Sequence, residues 1–144
     1  MSVSHILKLK GRDVITVKPG ETVKAVAEIL AAKRIGAVIV SSGGGKIEGI
    51  VSERDVVRVI AAEGAAALAL PVSKIMTSNV KTCSEGDSES ELMALMTQHR
   101  IRHLPVATDG KLVGMISIGD VVKFRIEAIE RDAADMKAYI AGSA

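Results

Sequence analysis

The sequence predicts an α/β fold, of the α+β kind, in which two similar halves pack together. Three observations predict this fold. Residue patterns recur along the chain at an offset of 65 or 66, each half alternates β-branched stretches with amphipathic ones, and one half alone is too short to enclose a good core. A long helical segment is expected after the second half.

The repeat covers about residues 3–60 and 72–126. The stretch VSHIL near the N-terminus corresponds to VSKIM at residues 72–76, and GIVSERD at residues 49–55 corresponds to GMISIGD at residues 114–120. In the second pair, a glycine precedes two apolar residues and a serine, and an aspartate follows three residues after the serine. The same short phrase therefore stands at the same place in both halves.

Each half is predicted to run strand, helix, strand, strand, helix. The first strands are DVITV and NVKTC, and the paired strands surround the glycine turns of AVIVSSGGGKIEGIVS and HLPVATDGKLVGMIS. Ser88 and Glu91 have the spacing of a capping box at the start of a helix. The second helix of each half is expected to begin at the aspartate of the phrase. The apolar stripes of the two first helices are formed by Val23, Val26, Ala27 and Leu30 and by Leu92, Leu95 and Met96.

Composition restricts the class of protein. Hydrophobic residues make up 48% of the chain, and the core must be aliphatic because there is one tyrosine, one phenylalanine and no tryptophan. A net charge of +2 and the lack of aromatic stacking platforms give no support to a nucleic-acid partner. The single cysteine, Cys83, excludes an internal disulfide framework and agrees with a reducing compartment. Without an apolar run of membrane-spanning length, we expect a cytoplasmic protein with no membrane partner.

The chemistry of the repeated phrase suggests a site for sugar and phosphate. An aspartate at a strand-to-helix junction is a good N-cap, and an acidic residue also accepts hydrogen bonds from ribose hydroxyls. A helix N-terminus with a nearby serine holds phosphate through backbone N–H groups and the hydroxyl. The alternative is that Asp55 and Asp120 only cap helices while Ser52 and Ser117 fill turns.

No catalytic residue and no metal ligand is predicted. The three histidines, His5, His99 and His103, show no metal-ligand spacing with acidic residues or with Cys83, and no nucleophile accompanies them. The glycine-rich stretch SSGGGK lacks the Gly-Lys-Ser/Thr end of a phosphate loop, so a flexible hairpin is expected there. The sequence therefore predicts a protein that is not an enzyme.

The order VSHIL…VITVKPGETV…RIGAVIV…GIVSERDVV, repeated as VSKIM…VKTCSEGDSE…RIRHLPV…GMISIGDVV, resembles a tandem pair of CBS motifs, also called a Bateman module. The resemblance covers nearly the whole chain and is to the small stand-alone bacterial CBS-pair proteins. It implies two motifs packed through their sheets with pseudo-two-fold symmetry, to which the apolar stripe beyond the repeat adds a long C-terminal helix. The division expected is a first CBS motif at 1–63, a linker at 64–71, a second CBS motif at 72–126 and a C-terminal helical extension at 127–144.

The resemblance also implies two clefts built crosswise that bind adenosine-containing ligands: AMP, ADP, ATP, NAD(P) or S-adenosylmethionine. An arginine-rich cleft would be formed by Thr82, Ile101, Arg102, His103 and Pro105 with Val51, Ser52, Arg54 and Asp55. A weaker cleft would be formed by Thr16, Ile35, Gly36 and Ala37 with Ile116, Ser117 and Asp120. In each, the threonine would meet adenine and the aspartate would hold ribose. The first cleft has the cations suited to phosphate, whereas Gly36, Ala37 and Gly119 replace them in the second.

A regular apolar stripe marks the C-terminal helix. Its members are spaced 4, 3, 4, 3 and 4 residues apart, which is the period of a coiled-coil seam. They are Val122, Ile126, Ile129, Ala133, Met136 and Ile140. Either this helix folds back over its own domain or it packs against a second subunit. We favour a homodimer, because an isolated stripe of this length would otherwise be exposed. The resemblance separately implies that such pairs often form disc-like dimers.

Two functions remain open at this level. The first is a non-catalytic regulatory module that needs no cofactor, binds an adenine nucleotide and transmits occupancy as a conformational change to a regulated partner protein. The second is a structural or interaction protein with vestigial clefts that acts through dimerisation and partner binding.

Overall fold

The computed structural model describes residues 2–143, without the side chain of Ser143. After one additional helix at the N-terminus, four helices and five strands follow one another in the order that the repeat predicts, except that the first strand of the second half is missing. Their bounds are α1 Val3–Lys10, β1 Thr16–Val17, α2 Val23–Lys33, β2 Ala37–Val40, β3 Gly49–Ser52, α3 Glu53–Glu63, α4 Glu89–His99, β4 His103–Thr108, β5 Lys111–Ser117 and α5 Ile118–Ser143. Short 3₁₀ turns at Gly64–Ala69 and Val72–Lys74 connect α3 to α4. The predicted α/β fold of two repeated motifs with a long C-terminal helix is confirmed.

The two halves contain similar but unequal sheets. In the first half β2 lies between β1, to which it is parallel, and β3, to which it is antiparallel, with Ala37 opposite Ser52. In the second half β4 pairs with β5, with His103 opposite Ser117. These equivalent pairings place the phrase of each half at the end of a strand that leads directly into a helix.

The strand predicted at NVKTC does not form. Only Cys83 pairs with β4, in an isolated parallel bridge to Val106. The Cys83 N–H donates to Pro105 O at 3.0 Å and the Cys83 carbonyl accepts from Ala107 N at 2.9 Å. Lys81 and Thr82 are exposed while Cys83 is buried, so one side chain alone anchors this segment to the core.

The second helix of each half begins earlier than predicted. α3 begins at Glu53 and α5 at Ile118, two residues before the aspartate of each phrase. The N-cap of α3 is Ser52, and Asp55 stands at the third helical position of a capping box. The expectation that the aspartates are the N-caps is therefore wrong, because the serine hydroxyl reaches the third amide and the carboxylate reaches back to the serine amide.

The halves exchange their first segments. The core of the second half includes Val3, Ile6 and Leu7 from α1, all at most 2% exposed. The core of the first half includes Val72, with Met76 packed against it. Each motif is thus completed by the segment that precedes the other motif.

This exchange explains the glycine that opens the repeated phrase. A Cβ atom on Gly114 would stand 2.7 Å from Leu7 Cδ2, and a Cβ atom on Gly49 would stand 2.5 Å from Met76 Sδ. Both distances are shorter than carbon and sulfur atoms tolerate, so glycine is needed where the exchanged segment crosses the strand.

The C-terminal helix buries side chains only over its first two turns. Val121 and Phe124 are buried, and the Phe124 ring contacts His5 edge to face at a centroid distance of 5.2 Å. Beyond Arg125 nearly every described residue of α5 is exposed. The alternative in which this helix folds back over its own domain is wrong, because the apolar stripe faces away from both cores. Within residues 2–143, no helix is both long and apolar enough to cross a membrane.

Candidate functional site

A cleft of about 580 Å³ opens between the two halves. Its walls are the start of α3, the end of α4 with the start of β4, and the segment that follows Met76. Six residues of the predicted arginine-rich cleft line it: Ser52, Arg54, Asp55, Ile101, Arg102 and His103. The other three lie outside the lining. Val51 is fully buried, Pro105 is buried within β4, and Thr82 is exposed.

The capping box fixes the carboxylate of Asp55 at the mouth of α3. Its Oδ2 accepts hydrogen bonds from Ser52 N at 2.9 Å and from Ser52 Oγ at 3.0 Å. The Asp55 N–H donates in return to Ser52 Oγ at 3.4 Å. Its Oδ1 lies 3.9 Å from Arg58 Nη1, a long and weak ion pair. The box therefore orients the side chain through one oxygen and leaves the other able to accept further hydrogen bonds.

Positive charge dominates the cleft. Five cationic side chains and two carboxylates line it, an excess of three positive charges. The cations are Arg54, Arg58, Lys81, Arg100 and Arg102, and the carboxylates are Glu53 and Asp55. Arginine side chains lining one concave surface suit the oxygens of a phosphate.

Sequence reasoning missed two of these cations. Arg58 lies one turn after Asp55, and it reaches the cleft because α3 places both residues on the same side of the helix. Lys81 reaches the cleft because backbone hydrogen bonds between Thr77 and Ile50, of 2.9 and 3.0 Å, hold the preceding segment against β3. That contact depends on the exchange of segments, for which the sequence carries no local signal.

His103 stands where the two predicted clefts meet. Its ring packs directly over Gly36, because a Cβ atom on Gly36 would be 2.8 Å from His103 Cε1. Burial lowers the pKa of His103, and the charge of Lys10 lowers it further, although Glu53 and Asp120 oppose the shift. Gly36, expected in the weaker cleft, therefore lines the arginine-rich cleft beneath a neutral imidazole.

Asp120, the aspartate of the weaker cleft, is already paired within the chain. Asp120 Oδ2 accepts hydrogen bonds from Ser117 N at 2.8 Å and from Lys10 Nζ at 2.5 Å. The same ammonium donates to Met115 O at 2.6 Å. Burial raises the pKa of Asp120, but the hydrogen bonds and charge of Lys10, with the Ser117 hydrogen bonds, outweigh it and hold the pKa below its usual value.

The repeat contains a signal for this asymmetry. Six residues separate Leu7 from Val14 in the first half, but only three separate their counterparts Met76 and Val80, so Asn79 corresponds to Asp13 and Lys10 has no counterpart in the second half. Asn79 lines the arginine-rich cleft. The cation that binds the aspartate of one half is thus absent from the equivalent segment of the other.

The remaining residues of the weaker cleft are dispersed over its strands. Ala37 and Ile116 are buried in β2 and β5, Thr16 is exposed on β1, and Ile35 is half-buried. Ser117 is joined to Asp120 by the second capping box, in which Asp120 N donates to Ser117 Oγ at 3.2 Å. A ligand role for this set stays a prediction. Among residues 2–143, no three His, Cys, Asp or Glu side chains are grouped as a metal site would require.

Comparison with known proteins identifies the repeat. The CBS domain family matches residues 3–62 and residues 72–127. The chain is 32% identical to the mitochondrial CBS domain-containing protein CBSX3 of Arabidopsis thaliana, over 98% of this chain and 72% of that protein.

Solved structures agree with this assignment. The CBS-domain containing protein ATU1752 from Agrobacterium tumefaciens is 46% identical, with a TM-score of 0.84 over 87% of this chain and 99% of that one. The CBS domain protein PAE2072 from Pyrobaculum aerophilum, solved as a complex with AMP, is 29% identical with a TM-score of 0.73 over 83% of this chain and 89% of that one. The predicted resemblance to small bacterial CBS-pair proteins is confirmed, and the chain belongs to the CBS domain family as a tandem pair of CBS motifs.

Proposed function

We propose that this protein is a non-catalytic regulatory module that binds a phosphorylated adenosine ligand, such as AMP, ADP, ATP or NAD(P), in the arginine-rich cleft. The observation that carries the proposal is the cleft itself, which is lined by five cationic residues and by the capped start of α3. Binding there would need no metal and no additional cofactor.

Asp55 is the proposed ribose ligand. A carboxylate held through Oδ2 by its own capping box presents Oδ1 at a fixed position. Paired hydroxyls of a ribose donate hydrogen bonds to an acidic residue in this way in dinucleotide-binding folds. The helix-capping role and the ligand-binding role of the repeated phrase are thus compatible, since Asp55 belongs to the capping box and also lines the cleft.

The phosphate is proposed to bind the arginine side chains more than the helix N-terminus. Two of the first three amides of α3 are already used, because Glu53 N donates to Gly36 O at 2.9 Å and Asp55 N donates to Ser52 Oγ at 3.4 Å. Charge-assisted hydrogen bonds from guanidinium groups to phosphate are stronger than neutral ones. Arg54, Arg100 and Arg102 therefore form the proposed phosphate clamp. The AMP complex of the relative PAE2072 supports an adenosine ligand for a CBS pair.

Occupancy is proposed to be transmitted through the relative position of the two halves. The cleft is lined by α3 of the first motif and by the α4–β4 junction of the second. A ligand that bridges both would favour the arrangement in which the clamp residues converge, and a partner protein that prefers either arrangement would respond to occupancy.

A thermal-shift panel of AMP, ADP, ATP, NAD, NADP and S-adenosylmethionine tests the proposal. We expect at least one phosphorylated compound to raise the melting temperature at millimolar concentration. The shift should be lost in Asp55→Ala and retained in Asp120→Ala. Each variant loses one capping box, at a cost of about 1 kcal/mol, so the second is a matched control for the first. No shift with any compound, or equal loss in both variants, would refute the proposal.

A second candidate function is a structural or interaction protein with vestigial clefts. The contact of Lys10 with Asp120 favours it, because the aspartate expected to hold ribose in the weaker cleft is already paired within the chain. Under this hypothesis an Asp55→Ala, Asp120→Ala double variant, if still folded, would bind its protein partner as well as the wild type does. Reduced partner binding in the double variant would favour the nucleotide-regulated module.

We further propose a reducing compartment, with the cytoplasm as the expected location. The one cysteine is buried, and burial raises the pKa of its thiol to about 12. Such a thiol neither forms a structural disulfide nor reacts readily. Recovery of the native protein in an organelle fraction, as the name of CBSX3 indicates for that relative, would replace the cytoplasmic assignment.

A further inference from the structure

The outer face of α5 carries an exposed apolar stripe, the α5 stripe, that neither core uses. Its large members are between 47% and 62% exposed. They are Val122, Ile126, Ile129, Met136 and Ile140, with Ala133 between them. A stripe of period 3.5 keeps one side of a helix apolar along its length, which is the pattern that a second helix buries.

We propose that the α5 stripe binds the α5 stripe of a second copy of this chain, with the two helices parallel and in register. The charges that border the stripe select this occupant and this orientation. Residues on either side of a coiled-coil seam face each other across the pair and set partner choice and orientation.

In the parallel, in-register pair, each bordering residue faces the residue five positions later in the partner. Arg125 then faces the partner's Glu130, and Asp132 faces the partner's Lys137. Both contacts join opposite charges, and the two-fold symmetry of the pair produces each of them twice. The sequence of this one helix thus allows four attractive contacts when it pairs with a second copy.

The antiparallel alternative places like charges together. Aligning the full stripe in that orientation sets Val122 opposite the partner's Ile140 and Ile126 opposite the partner's Met136. The bordering residues would then bring Glu130 against the partner's Glu130, Asp132 against the partner's Asp132 and Lys123 against the partner's Lys137. Like charges at such positions destabilise the pair.

Three of the four bordering charges are available for these contacts. Within residues 2–143, Glu130, Asp132 and Lys137 make no ion pair and no side-chain hydrogen bond. Arg125 is 60% exposed but already pairs with the buried carboxylate of Glu89 in its own chain, at 3.4 Å. The contact between Asp132 and Lys137 is therefore the cleaner one to alter.

Cysteine cross-linking tests the orientation on the full chain. In the parallel pair two copies of residue 126 meet across the seam, whereas in the antiparallel pair they lie about 15 Å apart along the axis, ten residues at ~1.5 Å each. We expect Ile126→Cys to form a disulfide-linked dimer on mild oxidation and Glu127→Cys, one position away from the stripe, to remain largely unlinked. The native Cys83 is buried and does not interfere. A dimer that forms without Ile126→Cys cross-linking would overturn the proposal.

A charge reversal measured by sedimentation equilibrium provides a second, independent test. Asp132→Lys should raise the dimer dissociation constant by about tenfold at low salt, because two attractive contacts become repulsive. Asp132→Lys combined with Lys137→Asp should restore it, and circular dichroism should show both variants folded. A wild-type protein that is monomeric at 100 µM, roughly the upper range for a specific homodimer, or a double variant no tighter than the single one, would also overturn the proposal. Neither test depends on a bound nucleotide.

Discussion

Arg100 meets two demands with one residue. It ends α4 in the left-handed conformation, with φ of +52°, and its side chain lines the arginine-rich cleft. Arg34 ends α2 in the same conformation, with φ of +53°, but lies outside the cleft lining. Glycine is the residue that helices commonly place at such an end. Both arginines therefore carry the same conformational cost, and Arg100 alone of the two lines the cleft.

Substituting glycine for Arg34 and for Arg100 distinguishes an effect on folding stability from an effect on ligand binding. Because a non-glycine residue costs about 1 kcal/mol or more in this conformation, we expect Arg34→Gly and Arg100→Gly each to leave the free energy of unfolding unchanged or raise it by up to about 1 kcal/mol. Only Arg100→Gly should weaken binding of the phosphorylated ligand identified by thermal shift. Urea denaturation and isothermal titration calorimetry measure the two effects, and equal affinity in both variants would remove Arg100 from the clamp.

His103 should make stability depend on pH near neutrality. Burial lowers its folded-state pKa below 6.5, so protonation favours the unfolded chain. Its contribution to stability is fully present above pH 6.5 and is lost as pH falls through the folded pKa. Urea midpoints at about pH 7.5 and 5.5 should differ in the wild type and differ less in His103→Gln. An undiminished difference in that variant would show that other groups are responsible.

Lys10 is the residue that makes the two clefts unequal. Its ammonium binds the carboxylate of Asp120, whereas Asp55 is held by its own capping box and lies 3.9 Å from Arg58. We expect Lys10→Asn to create a second, weaker ligand site, so that the stoichiometry measured by calorimetry rises from one ligand per chain towards two. Asn79→Ala should leave the stoichiometry at one. A single site in Lys10→Asn would mean that the weaker cleft is closed for other reasons.

At the scale of the elements, repetition made the fold predictable. The stripes of α2 and α4, the hairpins and the capping box of Ser88 and Glu91 all follow local patterns, and the structure contains them. Two predictions failed, one because tertiary contacts override a local pattern and one because the serine rather than the aspartate caps the helix. NVKTC has strand-like alternation but only Cys83 reaches the core, and α3 and α5 begin at the serine cap rather than at the aspartate.

The same distinction holds for the site. Arg54, Arg102 and Asp55 were predicted because they lie within or beside the repeated motifs. Lys81 and Lys10 were not, since each reaches its cleft only through a segment exchanged between halves. Contacts between residues distant in sequence produce no periodic pattern, and here they determine which of the two aspartates is paired with a lysine.

The two glycines of GMISIGD should respond differently to alanine. Gly114→Ala forces a Cβ atom to 2.7 Å from the buried Leu7 side chain, and overpacking of this kind costs about 1–3 kcal/mol. At Gly119 the nearest atom is Ser117 Oγ at 3.6 Å, so Gly119→Ala should be neutral or stabilise α5 by up to about 1 kcal/mol. Chemical denaturation compares them directly. Equal effects would mean that Leu7 moves aside at little cost.

On the scale of the whole molecule, two kinds of association are distinct. The clefts join the two motifs of one chain, and the α5 stripe is proposed to join two chains. These surfaces share no residue, because the stripe lies on α5 from Val122 to Ile140 while no residue of α5 lines the cleft. Ligand occupancy and dimerisation are therefore separable by mutation, which allows each proposal to fail without the other.

The exchanged segments also determine how the chain can be cut. A fragment ending at residue 70 would carry Val3, Ile6 and Leu7 with no core to enter, and would lack the Val72 that closes its own core. Each fragment alone should therefore be largely unstructured, whereas a mixture of residues 1–70 with residues 71–144 should regain helical circular dichroism. The covalent link between the halves is then not required for folding, because each fragment supplies part of the other's core. The two fragments should therefore be suited to fragment complementation.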